Sequence, residues 1–259
     1  MAARPNVLQL LGLSARRTLG SLGVLLPLAL FIGGVGRLVC WQLAILLVDP
    51  AGTPTGLGGM QGNGMIAYIL TETALQLVWG ILFYPIIDAA TIYVWRRRDA
   101  GSDVSLYGAV NWAVSRYTRM FVPHMIAFLT IMVGAQLIVP GILFGLQYAF
   151  VDAIAAVDDR AKKPLSRSAR LTKGRRGRIF WAWIPYMFWY MPSALVLVFW
   201  AEGQGWWAVM GHGAIDVLLL CVMEMAMFAI YQERIQDALA ARERKSAAEA
   251  GGAPEAAKE

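Results

Sequence analysis

Hydrophobic residues in this chain come in long runs, not in the short alternations that mark strands. A membrane span needs about 20 mostly apolar residues. Runs of that kind predict helices at 20–48, 64–95, 120–139, 141–157, 179–200 and 206–232. The fourth is short, and only the turn around Val139-Pro140-Gly141 separates it from the third, so this pair reads as a full or a re-entrant hairpin. The pattern predicts an all-α membrane protein with six transmembrane helices, followed past Gln232 by a charged helical extension to Lys245. The six-helix domain is thus expected over 1–245. Residues 246–259, rich in Ala, Gly and Glu, read as a disordered cytoplasmic tail.

Weaker periodicities lie between the spans. Val104, Leu106, Tyr107, Val110 and Val114 recur at near-helical spacing among Asp103, Asn111 and Arg116, which predicts an amphipathic helix in the inner interface. A second is expected from Pro164 to Lys173, with proline at its start and Gly174 after its end. A third begins at Val7-Leu8-Gln9-Leu10-Leu11. Amphipathic interfacial helices are therefore expected before the odd-numbered spans. Ser14-Ala15-Arg16-Arg17-Thr18-Leu19-Gly20 matches Ser168-Ala169-Arg170-Leu171-Thr172-Lys173-Gly174, with a weaker copy at Val114-Ser115-Arg116-Tyr117-Thr118. This predicts three copies of a surface helix followed by a membrane hairpin.

Composition narrows the class further. Of the 259 residues, 58% are hydrophobic and only 15% charged, where a soluble domain carries about 25% charge. An ordinary soluble enzyme, a disordered chain and a disulfide-stapled miniprotein are excluded. Cys40 and Cys221 fall within apolar runs and read as small core residues. Arg4, Arg16 and Arg17 before an apolar run have the outline of a secretory signal, but no small-x-small cleavage site closes that run, so a retained first helix is expected.

Charge then assigns the sides. The N-tail, the segment with Arg96, Arg97, Arg98, Arg116 and Arg119, the loop at 158–178 and the C-tail hold 22 of the 23 Lys and Arg. The opposite loops, at 49–63, 140 and 201–205, hold none. The positive-inside rule puts both termini on the cytoplasmic side of the membrane. Trp181 and Trp183, Trp200, Trp206 and Trp207, and Trp95 fit interfacial aromatic belts. The Gly-rich outer loop at 49–63 lacks the ending of a phosphate loop and reads as a linker.

Pro140-Gly141-Ile142, Tyr148, Val151-Asp152 and the run from Pro164-Leu165-Ser166-Arg167 through Ser168 to Gly174 together resemble a bacterial pattern. In it a Pro-Gly turn opens a helix, and a short loop leads to a helix carrying Ser-x-x-Leu-x-Lys-Gly. The stretch 140–180 is similar to an uncharacterised integral-membrane family related to the membrane domain of glycerophosphodiester phosphodiesterases. The resemblance implies a six-helix membrane module. It does not carry over phosphodiesterase activity, because the six spans leave no room for the soluble hydrolase domain.

No nucleophile with a base at recognisable spacing occurs, and no His-Glu-x-x-His, Gly-x-Ser-x-Gly or paired-Cys motif, so neither enzyme activity nor a cofactor is expected. His124 and His212 are expected near opposite faces of the bilayer. Ionisable groups within spans are the best functional clue, because charge in lipid is costly. Arg37, Glu72 and Asp216 lie roughly 12–16 Å below the outer helix ends. His212 and Asp216 are i and i+4, with Glu224 on nearly the same face. Asp88 and Asp152 lie in the inner half, within reach of interfacial arginines. One reading is an Arg37–carboxylate pair locking helices 1, 2 and 6. The other is a proton or cation path through Glu72, His212, Asp216 and Glu224, the basis of an alternative function as a small transporter. A metal site at His212 and Asp216 is disfavoured by its two ligands.

The loop from Arg160 to Arg178 holds nine cations and no acid: Arg160, Lys162, Lys163, Arg167, Arg170, Lys173, Arg175, Arg176 and Arg178. It reads as a topology signal and as a surface for anionic lipid headgroups. Nucleic acid is not required to explain it. Gly141 and Gly145 are expected to pack on helix 3. The function expected is that of a non-enzymatic membrane module acting through lipid or partner-protein contacts on its basic cytoplasmic face.

Overall fold

The computed structural model describes residues 5–48, 63–159, 161–200 and 205–251, with side chains excluded at 63, 190–200, 244, 245 and 247–251. The Gly-rich loop at 49–62, Arg4, Arg160, the side chains of Pro192 and Trp200, and the tail at 252–259 fall outside the described residues. Every regular element within them is a helix. In chain order these are α1 (Val7–Leu19), α2 (Leu22–Val48), α3 (Asn63–Asp99), α4 (Leu106–Ala135), α5 (Val139–Tyr148), α6 (Val151–Val157), α7 (Pro164–Thr172), α8 (Arg176–Trp200) and α9 (Trp206–Gly251).

Five helical segments are long and apolar enough to cross a membrane: Leu22–Val48, Gly64–Asp99, Leu106–Ala135, Val139–Val157 and Trp206–Glu243. Large apolar side chains point outward along them and α8, among them Phe31, Leu47, Leu70, Val133 and Phe188. In water such faces are a liability, whereas in lipid they are the solvated surface. Inside, small residues such as Ala89, Ala90, Ala113, Ala155 and Ala226 let helix backbones approach. The chain is an all-α protein of the multi-pass membrane type. The expected fifth span falls on α8, a helix whose outer half has no described side chains.

α1 starts with a capping box: the Asn6 side chain accepts from the Gln9 amide at 2.8 Å, and Gln9 Oε1 accepts from the Asn6 amide at 2.9 Å. This satisfies two donors left free at a helix start. Leu10, Ser14 and Thr18, four residues apart, form its buried face and pack against α9. In α2 the turns after Pro27 widen into a π-helix, Ala29–Val35. That stretch carries the closest crossing in the protein's described part. A Cβ on Gly33 would lie 2.1 Å from the Gly213 carbonyl oxygen of α9, and one on Gly213 would lie 2.2 Å from the Gly33 oxygen. Trp79 of α3 lies against Gly36 and donates from Nε1 to the Ile32 carbonyl at 2.8 Å.

Three expectations need correction. The surface helix around 104–116 and the span at 120–139 are one continuous helix, α4, opened by Ser105, whose hydroxyl accepts from the Gly108 amide. Its polar residues interrupt the apolar pattern but not the helix, which runs on even through Pro123. Separate leading helices therefore precede the first and fifth spans only. α1 and α7 bury matching positions, Ser14 and Thr18 against Ser168 and Thr172. In α4 the buried pair is Ala109 and Ala113, while Val114 and Thr118 face outward. The expected three-copy repeat therefore does not hold: α1 and α7 share a buried Ser/Thr pair, but the third segment has no separate leading helix and buries alanines instead. Second, the span at 141–157 is broken into α5 and α6. Third, Trp95 is buried, not interfacial: Nε1 donates to Gln232 of α9 at 2.9 Å, and the Arg17 guanidinium lies 3.8 Å over its ring. Trp181, Trp206 and Trp207 are exposed, as belts require. Gly141 packs on the end of α4 against Ala135, but Gly145 receives the Trp183 ring of α8. α9 stays helical to Gly251, past the expected boundary at 245.

Candidate functional site

The intramembrane polar residues gather into three groups. In the first, Arg37 lies two residues past the π-helix of α2 and faces α3. Its Nε lies 3.5 Å from Glu72 Oε1, its Nη1 donates to Gln76 Oε1 at 2.8 Å, and Gln76 Nε2 donates to Glu72 Oε1 at 2.7 Å. Arg37 and Glu72 are both buried. The expected lock is present between helices 1 and 2, closed by a glutamine that sequence reasoning did not single out. Gln76 stands one turn from Glu72 on the same face, and that spacing is the signal that would have found it.

The second group lies on α9. Asp216 does not pair with Arg37. It accepts from Trp189 Nε1 of α8 at 2.6 Å, and His212 Nδ1 lies 3.2 Å from its other oxygen. Arg37, Gln76 and Asp216 nonetheless border one cavity, with Gly33, Gly36 and Trp79 beside them. Its volume is about 30 Å³, space for a water or two.

The third group is the densest. Asp88 of α3, His124 of α4 and Asp152 of α6 place one potential ligand atom each within 4.8 Å of one another. His124 Nδ1 lies 3.1 Å from both Asp152 oxygens and 3.9 Å from Asp88 Oδ2. Glu224 of α9 adds a carboxylate whose charge acts on Asp88 and is acted on by Asp152. The Trp95–Gln232 bond explains its arrival: Asp88 is seven residues from Trp95, and Glu224 eight from Gln232, so both lie about 10–12 Å deeper at one level. Glu224 therefore belongs with Asp88, not with His212 and Asp216 as its helix face implied. Among the described residues, none of Asp88, Asp152 and Glu224 forms an ion pair with a Lys or Arg. The interfacial arginines expected to reach Asp88 and Asp152 serve other acids.

The break between α5 and α6 positions Asp152 in the first turn of α6. Ser168 of α7 bridges it, its hydroxyl donating to the Gln147 carbonyl at 2.8 Å and accepting from the Phe150 amide at 3.2 Å. Thr172 reaches the same carbonyl at 3.5 Å. The serine of the motif Ser168 to Gly174 thus splices a broken helix.

On the basic face, acids take up part of the cation excess. Arg167 pairs with Asp158, Arg175 with Asp237 at 2.8 Å, and Arg178 with Glu233 while also donating to the Pro5 carbonyl at 2.8 Å. Arg116 and Arg119 converge on exposed Asp159, and their hydrogen bonds, that of Arg119 foremost, hold its carboxyl below the ordinary value of 3.8. Arg176 is half-buried, and Lys162, Lys163, Arg170 and Lys173 are exposed. Lys163 and Arg170 border a cleft of about 590 Å³ with Gln147, Tyr148, Leu165 and Ser166.

Comparison with known proteins finds no matching family model, no matching curated protein and no matching solved structure, so the likeness over 140–180 rests on its own residues.

Proposed function

We propose that the chain is a non-enzymatic module of a bacterial inner membrane, with both termini cytoplasmic, that holds anionic lipid headgroups on its basic face. The observation that carries this reading is the cleft between α7 and the α5–α6 break. Lys163 and Arg170 stand at its edge, Ser166 and Tyr148 offer hydroxyls, and Leu165 offers an apolar surface for an acyl chain. Partitioning of the arginines supports it: Arg167, Arg175 and Arg178 are used by the fold, leaving the exposed cations beside the cleft for a phosphate. The Ser168 splice supports carrying over from the resembled family its membrane module, not its hydrolase chemistry.

Each basic residue near a headgroup layer contributes about 1 kcal/mol. Lys163→Gln with Arg170→Gln is expected to weaken retention of anionic lipid by about 30-fold relative to phosphatidylcholine. Lipids co-purifying with the full chain, measured by mass spectrometry, check this, and unchanged anionic lipid in the double variant rejects the proposal. The transporter reading has less support. The cavity beside Arg37 and Asp216 has space for little more than a water, and Glu224 sits in a separate group.

A further inference from the structure

We infer that Asp88, His124 and Asp152, with Glu224 beside them, bind one divalent first-row transition-metal cation inside the helix bundle. The inference is independent of the lipid reading, since the cluster shares no residue with the basic cleft.

Geometry is the first argument. Ligand atoms held at about 2.0–2.1 Å around a tetrahedral zinc lie about 3.3 Å from each other. The His124–Asp152 distance of 3.1 Å and the His124–Asp88 distance of 3.9 Å bracket that spacing. The three residues come from separate helices, α3, α4 and α6, so the chain has brought them together by folding and not by sequence proximity.

Charge is the second. Two carboxylates and one imidazole face one another, a third acid, Glu224, is near, and no lysine or arginine pairs with these acids among the described residues. Buried Glu72, by contrast, has the Arg37 guanidinium and Gln76 beside it. Excess negative charge away from water is unfavourable, and a dication at the centre removes it.

Unmet bonding capacity is the third. Asp88 is 3% exposed and its carboxylate faces the cluster, yet Oδ1 has no hydrogen-bond partner. A buried polar atom is rarely left unsatisfied. The mixed nitrogen and oxygen donors select the class of ion: imidazole with carboxylates suits Zn²⁺, Mn²⁺ or Fe²⁺, whereas Mg²⁺ and Ca²⁺ take oxygen.

The test uses the full chain in detergent micelles, stripped with a chelator and titrated with Zn²⁺, Mn²⁺ or Co²⁺. The wild type is expected to bind one ion per chain by calorimetry and to give a visible Co²⁺ absorption band. A large excess of Mg²⁺ is expected not to compete. Asp152→Asn and His124→Gln are each expected to bind at least tenfold more weakly, while His212→Gln, in the other histidine group, binds as the wild type does. Should a variant fail to fold, the wild-type titration and the Co²⁺ band decide alone. Absence of saturable binding, displacement by Mg²⁺, undiminished binding in folded Asp152→Asn, or loss of binding in His212→Gln overturns the assignment.

Discussion

The hydroxyl of Ser168 joins the two ends of an interrupted helix by donating to Gln147 and accepting from Phe150. Without it the buried Phe150 amide loses its partner and the Gln147 carbonyl keeps only the longer contact from Thr172, so Ser168→Ala is expected to destabilise the fold by about 1–3 kcal/mol, read from thermal unfolding in detergent. At Arg37 the balance is steeper. Glu72→Gln leaves a buried guanidinium uncompensated and is expected to cost about 3–5 kcal/mol, while the double replacement Arg37→Met with Glu72→Met recovers much of that loss. A double variant as unstable as the single one would dismiss the pairing. Asp159 responds to acid. Its folded-state carboxyl sits below its ordinary value of 3.8, so the tie to Arg116 and Arg119 is complete above that value and lost as pH falls through the lower folded one. A carboxyl NMR titration of Asp159 is expected to show its midpoint below 3.8.

Among the elements, the α2–α9 crossing depends on missing side chains. Gly33→Ala drives a methyl into the Gly213 carbonyl, which is backbone and has no rotamer to yield. The loss is expected at the upper end of about 1–3 kcal/mol, whereas Gly12→Ala, on α1 with nothing within 4 Å, is expected to gain up to about 1 kcal/mol. Unfolding midpoints of the two variants compare them directly. Sequence periodicity predicts the long helices well, because length and apolarity are local properties. It does not predict the π-helix, the α5–α6 break or the fusion of the surface helix with α4. Those are decided by partners distant in the chain: Trp79 bonding Ile32, Ser168 bonding Gln147, and α3 lying along α4. The polar groups divide the same way. Arg37 and Glu72 share a depth that can be counted from the outer helix ends. For His124 the signal lies at the inner helix ends: Asp88 and Asp152 each stand eight residues from the nearest arginine in sequence, and His124 five from Arg119. Counting depth from the inner end as well would have brought them to one level.

For the molecule as a whole, the proposed orientation makes a labelling prediction. Cys40 and Cys221 are buried, so the native chain gives little background with a membrane-impermeant thiol reagent. Ser102→Cys and Lys162→Cys are expected to react only from the cytoplasmic side of sealed vesicles, and Gly205→Cys only from the other. Reaction of Ser102→Cys and Gly205→Cys from the same side would refute two-sided threading. Ion pairs join the helix ends on the basic face: Arg17 to Asp99, Arg178 to Glu233, Arg175 to Asp237. The last two clamp α9 where it passes the basic face, yet α9 continues as one helix to Gly251. The stretch beyond Asp237 amounts to a helical arm of about 21 Å. A rock of about 10° at the clamp swings the end of that arm by about 4 Å, so on the proposed lipid reading a headgroup lodging or departing beside α7 has a mechanical pointer through which to be sensed beyond the bundle.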